Sequence, residues 1–244
     1  MTTLVAYSWA RDCEAALIRS DGAVDWRNTK MSAGEDDHAA VAVARGLAQT
    51  RGDEVVGVTM GDGDASWALA RGVAQAVSVT DAPAADDEAT AAAVLAAAVR
   101  TVPDADVVVI GDSEEYALVA PALAGLLGWP AVLGVTSAVA VPDGIEATRR
   151  CGELDEVLTV ATPVVLGVRA EGTEAHAPGM KEMLMARKRP VTRHTVAELG
   201  VDLPAALVEV GTRLPDLTGA QMLAGEPDQA ARALVAALRA DGVL

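Results

Sequence analysis

The sequence predicts an α/β protein on a doubly wound, mainly parallel sheet, followed by a C-terminal arm and helix. Three observations predict it. Short Val-rich runs alternate with Ala-rich stretches of helical length, the order of successive βαβ units. Several of the Val-rich runs are apolar on both faces, as strands are when helices cover both sides of a sheet. The apolar residues, 51% of the chain, are mostly Ala, Val and Leu with no Phe, and such small side chains suit closely spaced helix-on-sheet layers.

Strands are expected over 3–8, 54–60, 76–80, 106–111, 131–138 and 163–170. Helices fill the intervals at 36–50, 64–74, 86–102 and 114–129. The first two start on Asp, and the third has acids in its first turn and Arg100 in its last, matching the helix dipole. Pro121 predicts that the fourth is kinked or begins late. Residues 144–163 read as an antiparallel hairpin turning near Gly152. The stretch 201–228 carries three prolines and several glycines without periodicity, and a run of that length reads as an arm laid over another surface. A last helix starts at Pro227. The expected division is a nucleotide-binding-like domain over 1–200 and an arm with helix over 201–244.

A net charge of −16 argues against nucleic acid and against anionic membrane surfaces. Cys13 and Cys151 sit in no CxxC and read as two buried structural thiols, which suits a reducing cytoplasm. The start "MTTLVAYSWARD" lacks the basic, apolar build of a secretory signal, and no run reaches the roughly 18 apolar residues of a membrane span. No GxSxG, HExxH or phosphate-loop motif is present, and His38, His176 and His194 have no ligand spacing, so neither catalytic nor metal residues are expected.

In an open α/β sheet, ligands sit outside the carboxyl ends of the strands. Those ends are Tyr7–Trp9, Met60–Gly61 and Gly111–Asp112, with a helix start near Gly34–Asp37. Glu35, Asp36 and Asp37 occupy the field of that helix N-terminus and repel phosphate, so a self-capped helix stands as a reading beside a nucleotide contact. A second unusual passage is "MKEMLMARKRPVTRH". The chain has only three lysines, yet Lys181, Arg187, Lys188, Arg189 and Arg193 fall close together there. The passage reads either as a solvated loop or as a docking surface, in which Met180, Met183, Leu184 and Met185 adapt to a partner and the charges steer encounter.

The order of motifs resembles the beta subunit of electron-transfer flavoproteins from near the start to the last helix. The residues that carry it are "TLVAYSWARD", "KMSAGEDDHAAVAVARGL", "EVVGVTMGDGDASWALARGVAQAVSVTD", "ADVVVIGD" with "APALAGLLGWPAV", and "PGMKEMLMARKRPVTRHTVAELGVD". The resemblance implies an adenine-nucleotide alpha-hydrolase-like fold and a heterodimer whose alpha subunit holds most of the FAD. It implies AMP or a second FAD in this subunit, and electron shuttling rather than substrate turnover. Its implied partners are a flavin-dependent or mycofactocin-linked dehydrogenase and, as acceptor, a membrane quinone oxidoreductase; the composition suggests an actinobacterial branch. With the strand ends, it sets the candidate cofactor contacts at Ala6, Tyr7, Trp9, Cys13, Gly34, Asp36, Asp37, Met60, Gly111, Asp112 and Val119. It also sets a recognition loop over 176–190, with Met180, Met183, Leu184, Arg187, Lys188 and Arg189 meeting the partner dehydrogenase. The chain departs from the family at two places. Gly34 and Glu35 replace an Asn-Pro at the helix start, and "GDSEEYALVAP" is about three residues short and offers Glu114 and Glu115 where the family has phosphate donors. The alternative is a stand-alone adenine-nucleotide-binding module or an adenylating enzyme on the same fold. An adenylating enzyme needs a Gly-rich phosphate loop that "AYSWARDCEA" lacks.

Overall fold

In chain order the strands are β1 (Thr2–Ala6), β2 (Ala10–Arg11), β3 (Leu17–Ile18), β4 (Val24–Asp25), β5 (Met31–Ser32), β6 (Glu54–Met60), β7 (Gln75–Val79), β8 (Ala105–Gly111), β9 (Ala131–Val141), β10 (Gly144–Cys151), β11 (Leu154–Val160), β12 (Val164–Val168) and β13 (Val191–His194). The helices are α1 (Glu35–Arg51), α2 (Ala65–Ala70), α3 (Glu88–Arg100), α4 (Val119–Leu127), α5 (Met180–Ala186) and α6 (Pro227–Ala240). The computed structural model describes every residue except 13–14, 62, 83–86, 172–176, 204–209, 216–219 and 221.

Nine strands form one sheet in the order β11-β10-β9-β12-β8-β1-β6-β7-β13. From β9 to β13 the neighbours run parallel, and β9, β10 and β11 add antiparallel hairpins at one end. This is the expected doubly wound α/β fold. The central strands are apolar throughout because both faces are covered, and all five residues of β12 are buried. On one face Ala40, Ala44 and Leu47 of α1 pack with Val5, Val107, Val109 and Leu166. On the other, Val94 and Leu95 of α3 and Leu123 of α4 pack with Leu4, Val56, Val58 and Val108. Replacing a fully buried leucine such as Leu47 or Leu123 by Ala removes about 2–5 kcal/mol from such a core.

The register decides what the ends of the strands share. Ala6 lies opposite both Val58 and Ile110, and Gly111 opposite Val168, so β1, β6, β8 and β12 end along one edge. The helices mostly start where expected. Asp64 and Asp87 cap α2 and α3 by accepting from the amides of Ser66 and Ala89. Of the two readings for Pro121, the late start holds: α4 begins at Val119, so the proline falls in its first turn and disturbs no interior hydrogen bond. The hairpin turning at Gly152 is present as β10–β11, and a second, β9–β10, precedes it. Cys151 is exposed at the hairpin turn, against the expectation of a buried thiol, and Cys13 lies outside the described residues.

The described chain separates into two units, Met1–Leu17 with Asp25–Val210, and Ile18–Val24 with Gly211–Leu244. The second unit joins the arm to a turn from the N-terminal region. Thr212 Oγ1 donates to Gly22 O at 3.0 Å. A Cβ on Gly22, whose φ is +84°, would lie 2.7 Å from Leu214 N, so only glycine fits beneath the arm. Helix α6 in this unit has no buried residue.

Candidate functional site

From β1 the chain turns to β6 on one side, while β8 returns on the other, so the crevice beside β1 is the switch point of the sheet. The N-terminus of α1 fills it. A Cβ on Gly111 would lie 2.9 Å from Asp37 Oδ1 and 3.1 Å from the Asp36 main chain, so glycine lets the helix approach the end of β8. Asp37 is 4% exposed. Its Oδ2 accepts from Ser8 N at 3.1 Å, Ser8 Oγ at 2.6 Å and Gly34 N at 3.0 Å. Burial pushes this carboxyl up to about 6, although the Ser8 and Gly34 donors favour its charged form. Asp37 thus closes the first turn of its own helix.

Other carboxylates repeat the arrangement along the same edge. Asp36 Oδ1 accepts from Ala170 N at 2.7 Å, and burial raises its pKa. Asp112 Oδ2 accepts from Gly134 N at 2.8 Å, with Arg169 Nε at 3.5 Å. Glu88 Oε1 accepts from Leu118 N, the N-cap amide of α4, at 2.9 Å. A cavity of about 340 Å³ opens among Glu35, Asp36, Asp112, Glu114, Arg169 and Glu171. A phosphate charge about 5 Å from one ionised carboxylate is repelled by roughly 3 kcal/mol at an effective dielectric of about 20. Five acids face one guanidinium here.

The remaining candidate contacts are distributed unevenly. Trp9, Met60 and Gly111 are half-buried at the edge, and Gly34 is exposed at the N-cap of α1. Ala6 is fully buried, and Val119 packs into the core beneath α4. Tyr7 turns inward and is buried. Its hydroxyl donates to Asp64 O at 3.2 Å, its ring lies 5.0 Å from Trp67, and burial pushes its phenol well above the ordinary value. Trp67 also carries His38 edge-on at 5.0 Å and the Arg71 guanidinium at 4.5 Å over its ring. The sequence did not single out this stack, since its members come from three separated segments.

The basic passage runs through a short helix, a turn that carries Arg187, Lys188 and Arg189, and a strand at the sheet edge. Helix α5 runs through Met180–Ala186, with Glu182 Oε2 reaching back to Gly179 N at 2.7 Å, and β13 then pairs with β7 from Val191↔Ala76 to His194↔Val79. Only Ala186 of α5 is buried. Met180, Met183, Leu184 and Met185 are 75, 48, 57 and 50% exposed, with Lys181, Arg187 and Lys188 exposed around them. Arg189 differs from its neighbours. Its guanidinium donates to Leu69 O at 2.9 Å and to Val73 O, holding the carbonyls at the end of α2. Arg189 is thus tied to this subunit's own backbone, unlike the exposed Arg187 and Lys188. His176, at the head of the expected recognition loop, lies outside the described residues.

A family model for the electron transfer flavoprotein domain matches residues 26–199. The chain belongs to that family. The electron transfer flavoprotein match begins ahead of α1, takes in the sheet from β6 onward, and runs through α5 and β13. Electron transfer flavoproteins are flavin-associated electron carriers. The residues at the switch point do not fit the phosphate of an adenine nucleotide, because acids line the cavity and carboxylates already hold the nearby amides. No helix among the described residues is long and apolar enough to cross a membrane.

Proposed function

We propose that this chain is the beta-type subunit of a heterodimeric electron transfer flavoprotein, a cytoplasmic carrier that supplies no acid, base or nucleophile of its own. An alpha-type subunit holds most of the FAD, and the arm beyond residue 200 lies against it. The candidate contacts on this chain close one side of the flavin site, with Trp9 and Met60 the half-buried edge members suited to touch a ring system. The donor is a flavin-dependent or mycofactocin-linked dehydrogenase of an actinobacterial host, and a membrane quinone oxidoreductase serves as acceptor.

One observation carries this reading beyond the family. Helix α5 presents four large apolar side chains to solvent with lysine and arginine around them, on a protein whose net charge is −16. Apolar surface of this kind marks a contact site, and methionine adapts to a partner's shape. The surrounding charges speed encounter with an acidic partner. The acids at the switch point speak against a stand-alone adenine-nucleotide module or adenylating enzyme, since both bind phosphate there.

The test is co-expression with the neighbouring flavoprotein gene, followed by purification and a visible spectrum. A yellow complex holding this chain and a flavin-bearing partner is expected. A chain that purifies alone and colourless, with no partner captured, rejects the proposal.

A further inference from the structure

We infer that this subunit holds no structural adenine nucleotide, because its own carboxylates take the place of a phosphate along the carboxyl edge of the sheet. A bound phosphate at such an edge needs free backbone amides, usually at helix N-termini, and a basic or neutral wall. Five amides along this edge are already engaged, and the wall is acidic. The amides of Ser8 and Gly34 donate to Asp37, that of Ala170 to Asp36, that of Gly134 to Asp112, and that of Leu118 at the head of α4 to Glu88. Four carboxylates from three helices or strand ends thus occupy five donors on five different segments.

The wall is unsuitable as well. Glu35, Asp36, Asp112, Glu114 and Glu171 line the opening of about 340 Å³ at this edge, and Arg169 there already leans on Asp112 at 3.5 Å. Glu114 and Glu115 form the short 3₁₀ turn between β8 and α4, where a phosphate would approach the α4 N-terminus. Gly111 permits α1 to close onto the end of β8, and that closure brings Asp36 and Asp37 to the crevice. Each carboxylate accepts from a backbone amide and ties two segments of this edge together, as a bound phosphate would. The fold is therefore complete at this edge without a nucleotide.

The inference stands apart from the subunit reading, and one preparation tests both. The full-length chain, with whatever partner purifies with it, is denatured and the released nucleotides are separated and counted. Less than about one tenth of an AMP per chain is expected, and millimolar AMP added to the intact preparation should leave the Tm within about 1 °C. Near one AMP per chain, or a rise of about 3 °C or more with AMP, overturns the inference. Flavin content reports separately on the subunit reading. AMP together with flavin sinks this inference and leaves the subunit assignment standing. Absence of both flavin and partner, with no response to AMP, does the reverse.

Discussion

Asp37 shows how one side chain joins fold and chemistry. It closes the first turn of α1, fastens the segment after β1 and carries a carboxyl pushed up to about 6 by burial. A raised carboxyl disfavours the charged form in the fold. Relative to an unfolded value near 3.9, its contribution is full below about pH 4 and is lost as pH climbs through about 6, roughly 2–3 kcal/mol in all. In Asp37→Asn, the amide oxygen can still accept from Ser8 and Gly34, but the titration is gone. Urea unfolding at several pH values should show wild-type stability falling relative to the variant between about pH 4 and 6. A constant difference across that range would mean that Asp37 is not the buried titrating group. Arg189 offers a second contrast. Arg189→Gln breaks charged hydrogen bonds to two carbonyls and should cost about 1.5–3 kcal/mol. Arg187→Gln, on an exposed side chain, should stay within about 0.5 kcal/mol. Equal effects by denaturant titration would remove the structural role given to Arg189. The sequence could not separate these two arginines, because the carbonyls of Leu69 and Val73 reach Arg189 only after α2 and α5 have packed. The burial of Tyr7 was not legible for a related reason: whether a residue just past a strand faces outward or into the core depends on what packs there, and Trp67 packs on Tyr7.

At the level of elements, the long and periodic ones were legible. Helices α1 and α3 and strands β6, β8 and β12 bury continuous apolar surface, which leaves an unmistakable pattern in the chain. Helix α5 and strand β13 were not, being seven and four residues long, too short for a period to register. Arg193 sits on an edge strand, where charge discourages unwanted pairing. On α5, Met180 is the most exposed apolar side chain. Met180→Ala should lower the rate of electron delivery from the partner dehydrogenase by about tenfold, the scale of one lost interface anchor, with flavin content unchanged. An unchanged rate would show that α5 is not the docking element. Reversing charge at Arg187 and Lys188 should slow association most at low salt, where screening is least. A slowdown independent of ionic strength would point to lost packing instead.

For the molecule as a whole, the sheet unit carries the buried core, and among the described residues the second unit carries almost none. Deleting 227–244 removes α6, which buries nothing in this chain. The deletion should leave the Tm of the sheet unit within about 2 °C while weakening capture of the flavin-bearing partner. A large fall in Tm would place α6 in the fold of this subunit. The sequence by itself determined the layered α/β class, the identity of most core strands and helices, the acidity of the ligand edge and the clustering of methionine with basic residues. Those are consequences of composition and period along the chain, which hydrophobic burial imposes locally. Only the tertiary structure decided the rest: that β12 inserts between β8 and β9, that the turn at Ile18–Val24 joins the C-terminal arm, and that Asp36, Asp37, Asp112 and Glu88 take the amides at the switch point. Each depends on segments far apart in sequence meeting in space, and a hydrogen bond between two such segments leaves no trace in the residues around either one.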